Sequence, residues 1–200
     1  IKGYVSMIQE GDYGKLNNPK IETVLDNVYK SNEHLIYLVN DFLDVSRIEG
    51  GRTSYTFVKT DLKKVAEELV TEISLPAKEK GLQFKVEIAK NLPVITVDMK
   101  KIRNVMLNFL TNAVKYTPKG WLKMELFKKG RQIIYKVSDN GIGLTKFDLE
   151  NVFQKFYRAE EAKKITATGV GLGLFVVKKF IEAHGGEVFV TSPGPGQGAS

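Results

Sequence analysis

Gly169-Val170-Gly171-Leu172-Gly173-Leu174 places three alternating glycines directly ahead of an apolar helical stretch that runs to His184. Such a segment folds as a tight backbone turn delivering a helix start, here at about Gly171. A helix start exposes unpaired amides and the positive end of its dipole, so the place suits an anion. Taken alone the pattern is unspecific. A dinucleotide-type turn needs a strand immediately before it in a parallel βαβ unit, whereas a polar stretch with Ala, Thr and Lys precedes this one. The Gly-Lys-Ser/Thr ending of a P-loop is absent as well.

Two upstream segments carry complementary chemistry. Between Asp98, a natural helix cap, and Tyr116, the residues Ile102, Val105, Met106, Phe109 and Ala113 fall on one helical face. Asn108, Asn112 and Lys115 form a second stripe roughly 120° around the axis. A helix so patterned docks on a sheet with one stripe and lines a cleft with the other. Two helical asparagines alone are more often a solvated face, but side-chain amides are also neutral oxygen donors suited to Mg²⁺ beside phosphates. Asp139 ends a strand in which Ile133, Tyr135 and Val137 share its parity, so its carboxylate continues the apolar face. Burying a carboxylate is costly without a donor to it. Asp139-Asn140-Gly141-Ile142-Gly143 also reads as an ordinary loop, though Gly143 favours close approach of backbone to a ligand.

The charge distribution fits an anionic ligand. Net charge is +7, yet residues 1–60 hold 7 Lys/Arg against 8 Asp/Glu, so the excess lies in 61–200. That suits a polyphosphate or an acidic protein partner. Nucleic acid is disfavoured, because the lysines are scattered without an aromatic-basic stripe. Cysteine is absent, which excludes disulfides and thiol chemistry, and two histidines make a protein-built zinc site unlikely. No run approaches the roughly 18 apolar residues of a membrane span. The chain starts at Ile1 without Met or a leader and reads as an excerpt of a longer parent.

Two modules are expected. In residues 1–51, Ile1, Val5 and Ile8 have helical spacing, Gly11–Pro19 is rich in turn formers, and Ile21, Leu25, Val28, Leu35, Val39 and Phe42 step as a heptad seam with Asn32 and Ser46 as polar members. A seam this regular implies a helical partner, and a dimeric bundle is favoured over packing on the chain's own second module. Residues 52–200 alternate strands (55–58, 82–88, 94–97, 121–127, 132–137 and 187–191) with helices (61–80, 98–116 and 171–184). Pro76 is expected to kink or stop the first of these helices. Hairpins such as the one turning at Lys128-Lys129-Gly130-Arg131 imply an α+β sandwich, with helices on one face of a mixed, mostly antiparallel sheet. The tail from Pro193 is expected to be a loop or frayed end.

Together these segments resemble the N, G1 and G2 boxes of the ATP-binding domain of sensor histidine kinases, and Phe153-Gln154-Lys155-Phe156-Tyr157-Arg158 is similar to that family's F box. The resemblance covers nearly the whole chain and implies a Bergerat-type GHKL fold preceded by a partial dimerisation and phosphotransfer hairpin. It implies ATP and Mg²⁺ as cofactors, with Asn112 as the metal ligand, Asn108 positioning phosphates and metal, Lys115 on a phosphate and Tyr116 near the base. Asp139 would accept from the adenine amino group, with Gly141, Gly143 and Leu144 beside it. Gly169, Gly171, Leu172, Gly173 and Leu174 would complete the pocket. The segment 144–168 is too long for an ordinary connection and is expected to act as a lid, anchored by Phe153 and Phe156, with Tyr157 and Arg158 near the ligand. Asn108 and Arg158 are the catalytic candidates, the arginine neutralising γ-phosphate charge, although a surface arginine beside Glu160 and Glu161 is the plain alternative.

By the same resemblance the activity is that of an ATP-dependent protein histidine kinase, partnered by a second copy of the chain and by a response-regulator receiver domain. It implies a cytoplasmic module whose parent is cytoplasmic or membrane-anchored. Neither His34 nor His184 has the family's acidic-x-Arg-x-Pro context, and His184 before Gly185-Gly186 fits a helix C-cap. The phosphoacceptor is therefore expected upstream of Ile1. A GHKL-type conformational ATPase would carry a glutamate at position 108, where an amide cannot act as a general base. A nucleotide-binding dimer without kinase activity is the other alternative.

Overall fold

Periodicity is translated directly into elements in the computed structural model, which describes residues 1–14, 17–166 and 169–200, apart from the side chains at 33, 34 and 37. Contacts divide the chain into two units, Ile1–Gly51 and Arg52–Ser200.

The first unit is a helical hairpin of α1 (Lys2–Glu10) and α2 (Pro19–Glu49). Gly11 closes α1 at a φ of 89°, where a side chain would be strained. Asn18 opens α2 by accepting from the Lys20 N–H at 3.0 Å, with Pro19 pre-set in the first turn. The Lys2 ammonium lies 5.5 Å from the Tyr29 ring centre, tying α1 to the first half of α2. Along α2 the apolar seam is exposed, with Leu35 and Phe42 each at 61%.

The second unit runs β1 (Phe57–Thr60), α3 (Leu62–Glu79), β2 (Gln83–Ile88), β3 (Ile95–Asp98), α4 (Met99–Tyr116), β4 (Trp121–Lys129), β5 (Gln132–Asp139), α5 (Lys146–Asn151), α6 (Glu160–Ile165) and α7 (Gly173–Ala183). β4 is central, parallel to β2 and antiparallel to β5, while β1 and β3 form a separate antiparallel pair. Alternation along β4 sends Leu122, Met124 and Leu126 inward, all fully buried. They meet Leu69 and Ile73 of α3 and Met106 and Leu110 of α4, so these helices cover one face of the sheet. Each such side chain contributes about 1.5–3 kcal/mol on burial. The mixed, mostly antiparallel sandwich expected from the sequence is present.

Four expectations need correction. Pro76 does not stop α3, which continues to Glu79; Ile73 and Ala77 are buried on either side, and this packing offsets the missing hydrogen bond. β1 begins at Phe57, two residues late, because the Asp98 carboxylate takes the Thr56 N–H at 2.8 Å and pairing starts beyond it. Residues 187–191 form no strand, since only Thr191 and Ser200 exchange backbone hydrogen bonds at 2.8 Å. The tail is not frayed. It folds back on the loop after β5, with Gly196 N–H on Ile142 O (2.6 Å) and Gly198 N–H on Gly141 O (3.1 Å).

His184 caps α7, and Gly185 at φ 70° completes the turn with Gly186 N–H on Ile181 O. Its Nε2 accepts from the Asp98 N–H at 2.9 Å while Nδ1 lies 2.6 Å from Phe180 O, which fixes the Nδ1–H tautomer. The His34 side chain lies outside the described residues.

Candidate functional site

Helix α4 is the spine of the site. Asp98 caps it by accepting from the Lys101 N–H at 3.1 Å, and its apolar face is clamped on the sheet, including Tyr135 OH donating to Met106 O at 3.0 Å. The polar stripe therefore turns towards α7 and the segment before it. Asn108 is buried, and Asn112 donates from Nδ2 to its Oδ1 at 2.9 Å. A Cβ at Gly173 would stand 2.5 Å from Asn108 Nδ2, so glycine at the first residue of α7 leaves room for the Asn108 amide in its present place. Two turns on from Asn108, Lys115 Nζ is 3.3 Å from the place of a Cβ at Gly169. Burial, reinforced by the charge of Arg158, lowers the pKa of Lys115. Burial raises that of Tyr116, against the opposing charge and hydrogen bond of Arg158.

At the end of α4 the chain meets the loop after β5. The Ile142 N–H donates to Tyr116 O at 3.1 Å, and a Cβ at Gly141 would collide with that same carbonyl. Asp139 shares the inward parity of Ile133, Tyr135 and Val137, which pack on the core. Its Oδ1 accepts from the Gly141 N–H at 2.8 Å. Burial raises its pKa, opposed by the N–H groups of Gly141 and Ala199 and by the Thr117 hydroxyl.

The glycines divide by what they face. Gly143, at φ 63°, has the carbonyl of Gly194 where its Cβ would be, so its small size serves the tail and not an open cleft. Leu144 donates from its N–H to Ser192 Oγ at 3.0 Å, and the same hydroxyl donates to Gly198 O at 2.6 Å. Gly171, at φ 76°, is pressed against the Tyr157 carbonyl, 2.5 Å from a would-be Cβ. Helix α7 consequently opens at Gly173, two residues later than expected, with Leu172 as its buried N-cap and no side chain capping its amides. Leu174 is half-buried in its first turn.

Between Leu144 and Thr166, in the segment expected to act as a lid, the chain holds two short helices, α5 and α6; the end of that segment, 167–168, lies outside the described residues. Phe156 is not the anchor: it is 61% exposed, at a φ of +61°, a conformation costing about 1–2 kcal/mol. Tyr157 ties the segment to itself, its hydroxyl donating at 2.6 Å to Asp148 in the capping box of α5. Arg158 donates to the carbonyls of Gly169 at 3.0 Å and Thr166 at 2.6 Å. Both side chains thus organise their own loop, and Arg158 also reaches Tyr116. Ser192, Thr117 and the tail are the contributors missed from sequence, although the alternation Gly194, Gly196, Gly198 repeats the glycine signal read at 169–173.

Residues 97–200 match the family described as histidine kinase-, DNA gyrase B-, and HSP90-like ATPase. The chain belongs to that family. Within it the resemblance is to sensor histidine kinases of two-component systems. The circadian input-output histidine kinase CikA of Synechococcus elongatus is 31% identical over 99% of this chain and 26% of its own length. The non-motile and phage-resistance protein of Caulobacter vibrioides is 32% identical over the whole chain and 24% of its own length. The chain thus spans about a quarter of the curated relatives it matches. Full-length ShkA, solved in complex with AMPPNP, superposes with a TM-score of 0.76 at 28% identity over 99% of this chain and 41% of that one. The histidine kinase AdeS of Acinetobacter baumannii shares the fold, with a TM-score of 0.70 at 22% identity over 99% of this chain and 88% of its own. Among the described residues no helix is long and apolar enough to cross a membrane.

Proposed function

We propose that this chain is the ATP-binding and dimerisation part of a sensor histidine kinase. It would bind Mg-ATP between α4, the Asp139–Gly143 loop and the start of α7, and donate the γ-phosphate to a histidine on the helical module upstream of Ile1, from which a response-regulator aspartate takes it. One observation carries the reading: along α4, Asn108, Lys115 and Tyr116 stand in turn against Gly173, Gly169 and Gly141, so the three motifs meet along one helix. The ShkA complex with AMPPNP supports the ligand class.

In this reading the free lone pairs of the Asp139 carboxylate accept from the adenine amino group, Lys115 meets a phosphate, and the uncapped amides of α7 meet phosphate oxygen. The amide pair fits magnesium, because the Asn108–Asn112 hydrogen bond engages the nitrogen of Asn112 and leaves its oxygen as a neutral donor. Bound there, the metal would supply charge neutralisation on the phosphates. Asn108 and Arg158 would position the phosphate end. The amide at 108 cannot deprotonate water, which favours transfer to a histidine over a hydrolytic clamp. Residues 1–51 are proposed to pair with a second copy through the α2 seam.

The test is incubation with ATP labelled at the γ-position, followed by peptide mapping of acid-labile phosphate. This chain should bind nucleotide and remain unlabelled, whereas a chain extended upstream should be labelled on the added histidine. Label on His34 of the unextended chain would move the acceptor, and an extended chain that binds Mg-ATP but never labels would leave a nucleotide-binding dimer without kinase activity.

A further inference from the structure

The last four carbonyls of α4 need partners from outside the helix. Ala113 O takes the Thr117 N–H at 3.1 Å and Tyr116 O takes the Ile142 N–H at 3.1 Å. The other two, Val114 O and Lys115 O, are both taken by the ammonium of Lys80, at 2.6 and 2.8 Å. We propose that Lys80 is a positioning residue of the nucleotide site, a side-chain cap supplied by α3 that fixes the last turn of α4 and with it Lys115 and Tyr116. The inference rests on the nucleotide reading above and adds to it a residue from outside all the glycine and asparagine motifs.

The backbone at Lys80 is fixed by its own turn. Lys80 ends α3, where the Gly81 N–H bonds to Lys78 O at 2.9 Å and the Leu82 N–H to Ala77 O at 2.9 Å, with Gly81 at φ 71° and Leu82 buried beyond it. That double closure is the Schellman arrangement, and it fixes the residue bearing the ammonium. Pro76 stiffens the same turn and accepts the Lys80 N–H at 3.2 Å. The cation meets the negative end of the α4 dipole, a favourable pairing in a site built for anions. Desolvation lowers the pKa of Lys80, as expected for an ammonium drawn from water onto two carbonyls. One of those carbonyls belongs to Lys115, the residue whose own ammonium stands against Gly169.

Calorimetric titration of the parent chain, Lys80→Met and Lys80→Arg with ATP, ADP and adenosine tests this. Lys80→Met should weaken ATP and ADP roughly fivefold, the affinity equivalent of a cation at a helix end, and adenosine less. Lys80→Arg should retain most of the parent's affinity, because its donors reach the same carbonyls. Amide exchange at 115–117 should quicken in Lys80→Met while the start of α4 is unchanged. Lys80→Met that melts earlier yet binds ATP as the parent does would reduce Lys80 to a stabilising contact and overturn the proposal. An equal loss for all three ligands, or no rescue by arginine, would overturn it too. A parent chain that binds none of the ligands would instead remove the nucleotide reading itself, and the inference with it.

Discussion

Asn108 and Gly173 share one space, the amide nitrogen lying 2.5 Å from where a methyl group at position 173 would stand. Alanine is the better helix former, so Gly173→Ala should leave α7 intact while displacing Asn108 and, through the 2.9 Å bond, Asn112. Nucleotide affinity is expected to fall about tenfold, the effect of losing roughly 1.4 kcal/mol. Circular dichroism and calorimetry on one sample separate the two effects, and an alanine variant binding like the parent would detach Asn108 from the ligand.

Asp139→Asn should cost adenine nucleotides about 1–3 kcal/mol, because an amide mispairs with an amino donor in a buried place. The parent also carries a pH signature. Burial raises the carboxyl pKa of Asp139, so the ionised acceptor is lost as pH falls, and binding should start to decline at a higher pH than an ordinary carboxylate would give. Linkage has the opposite sign for folding: the raised folded-state pKa means that ionising Asp139 opposes stability at neutral pH, and protonation relieves that cost. Affinity measured across the acidic range should show this limb in the parent and lack it in the asparagine variant.

Asn112→Ala should reduce the gain in ATP affinity produced by magnesium more than it reduces metal-free binding. Titrations with and without the metal give the comparison, and an equal magnesium effect in both proteins would place the cation elsewhere.

Charged residues at Val28 and Leu35 should yield monomers that still bind nucleotide, because both belong to the exposed seam of α2 and neither belongs to the second unit. Sedimentation is the measurement. An unaltered oligomer would reject the seam.

What the sequence disclosed follows from where the deciding forces lie. The α4 stripes, the inward parity of Asp139 and the cap at His184 were legible because each depends on residues within a few positions, where periodicity is enforced by local geometry. Phe156 was misjudged because its ring was read as an anchor, whereas a left-handed backbone at that residue turns it outward and Tyr157 bonds to Asp148 instead. The packing of the tail, expected only as a loop or frayed end, was not legible for a related reason: its glycines are selected by backbone contacts more than fifty residues away, as at Gly143 and Gly194, and such contacts leave no periodic trace. Lys80 was read only as the end of α3, since nothing in the sequence marks a lysine that reaches carbonyls 34 and 35 residues on.

The interlock of Gly198 with Asp139 and of Gly194 with Gly143 also sets an order of assembly. On a ribosome, α3, α4, β4 and β5 emerge and can bury Leu122, Met124 and Leu126 before residues 192–199 exist. The loop beside Asp139 therefore waits, loosely tethered, for a segment made roughly fifty residues later, and closing so long a loop is entropically unfavourable until the core has already brought its ends together. A domain built this way completes its core first and the loop beside Asp139 last.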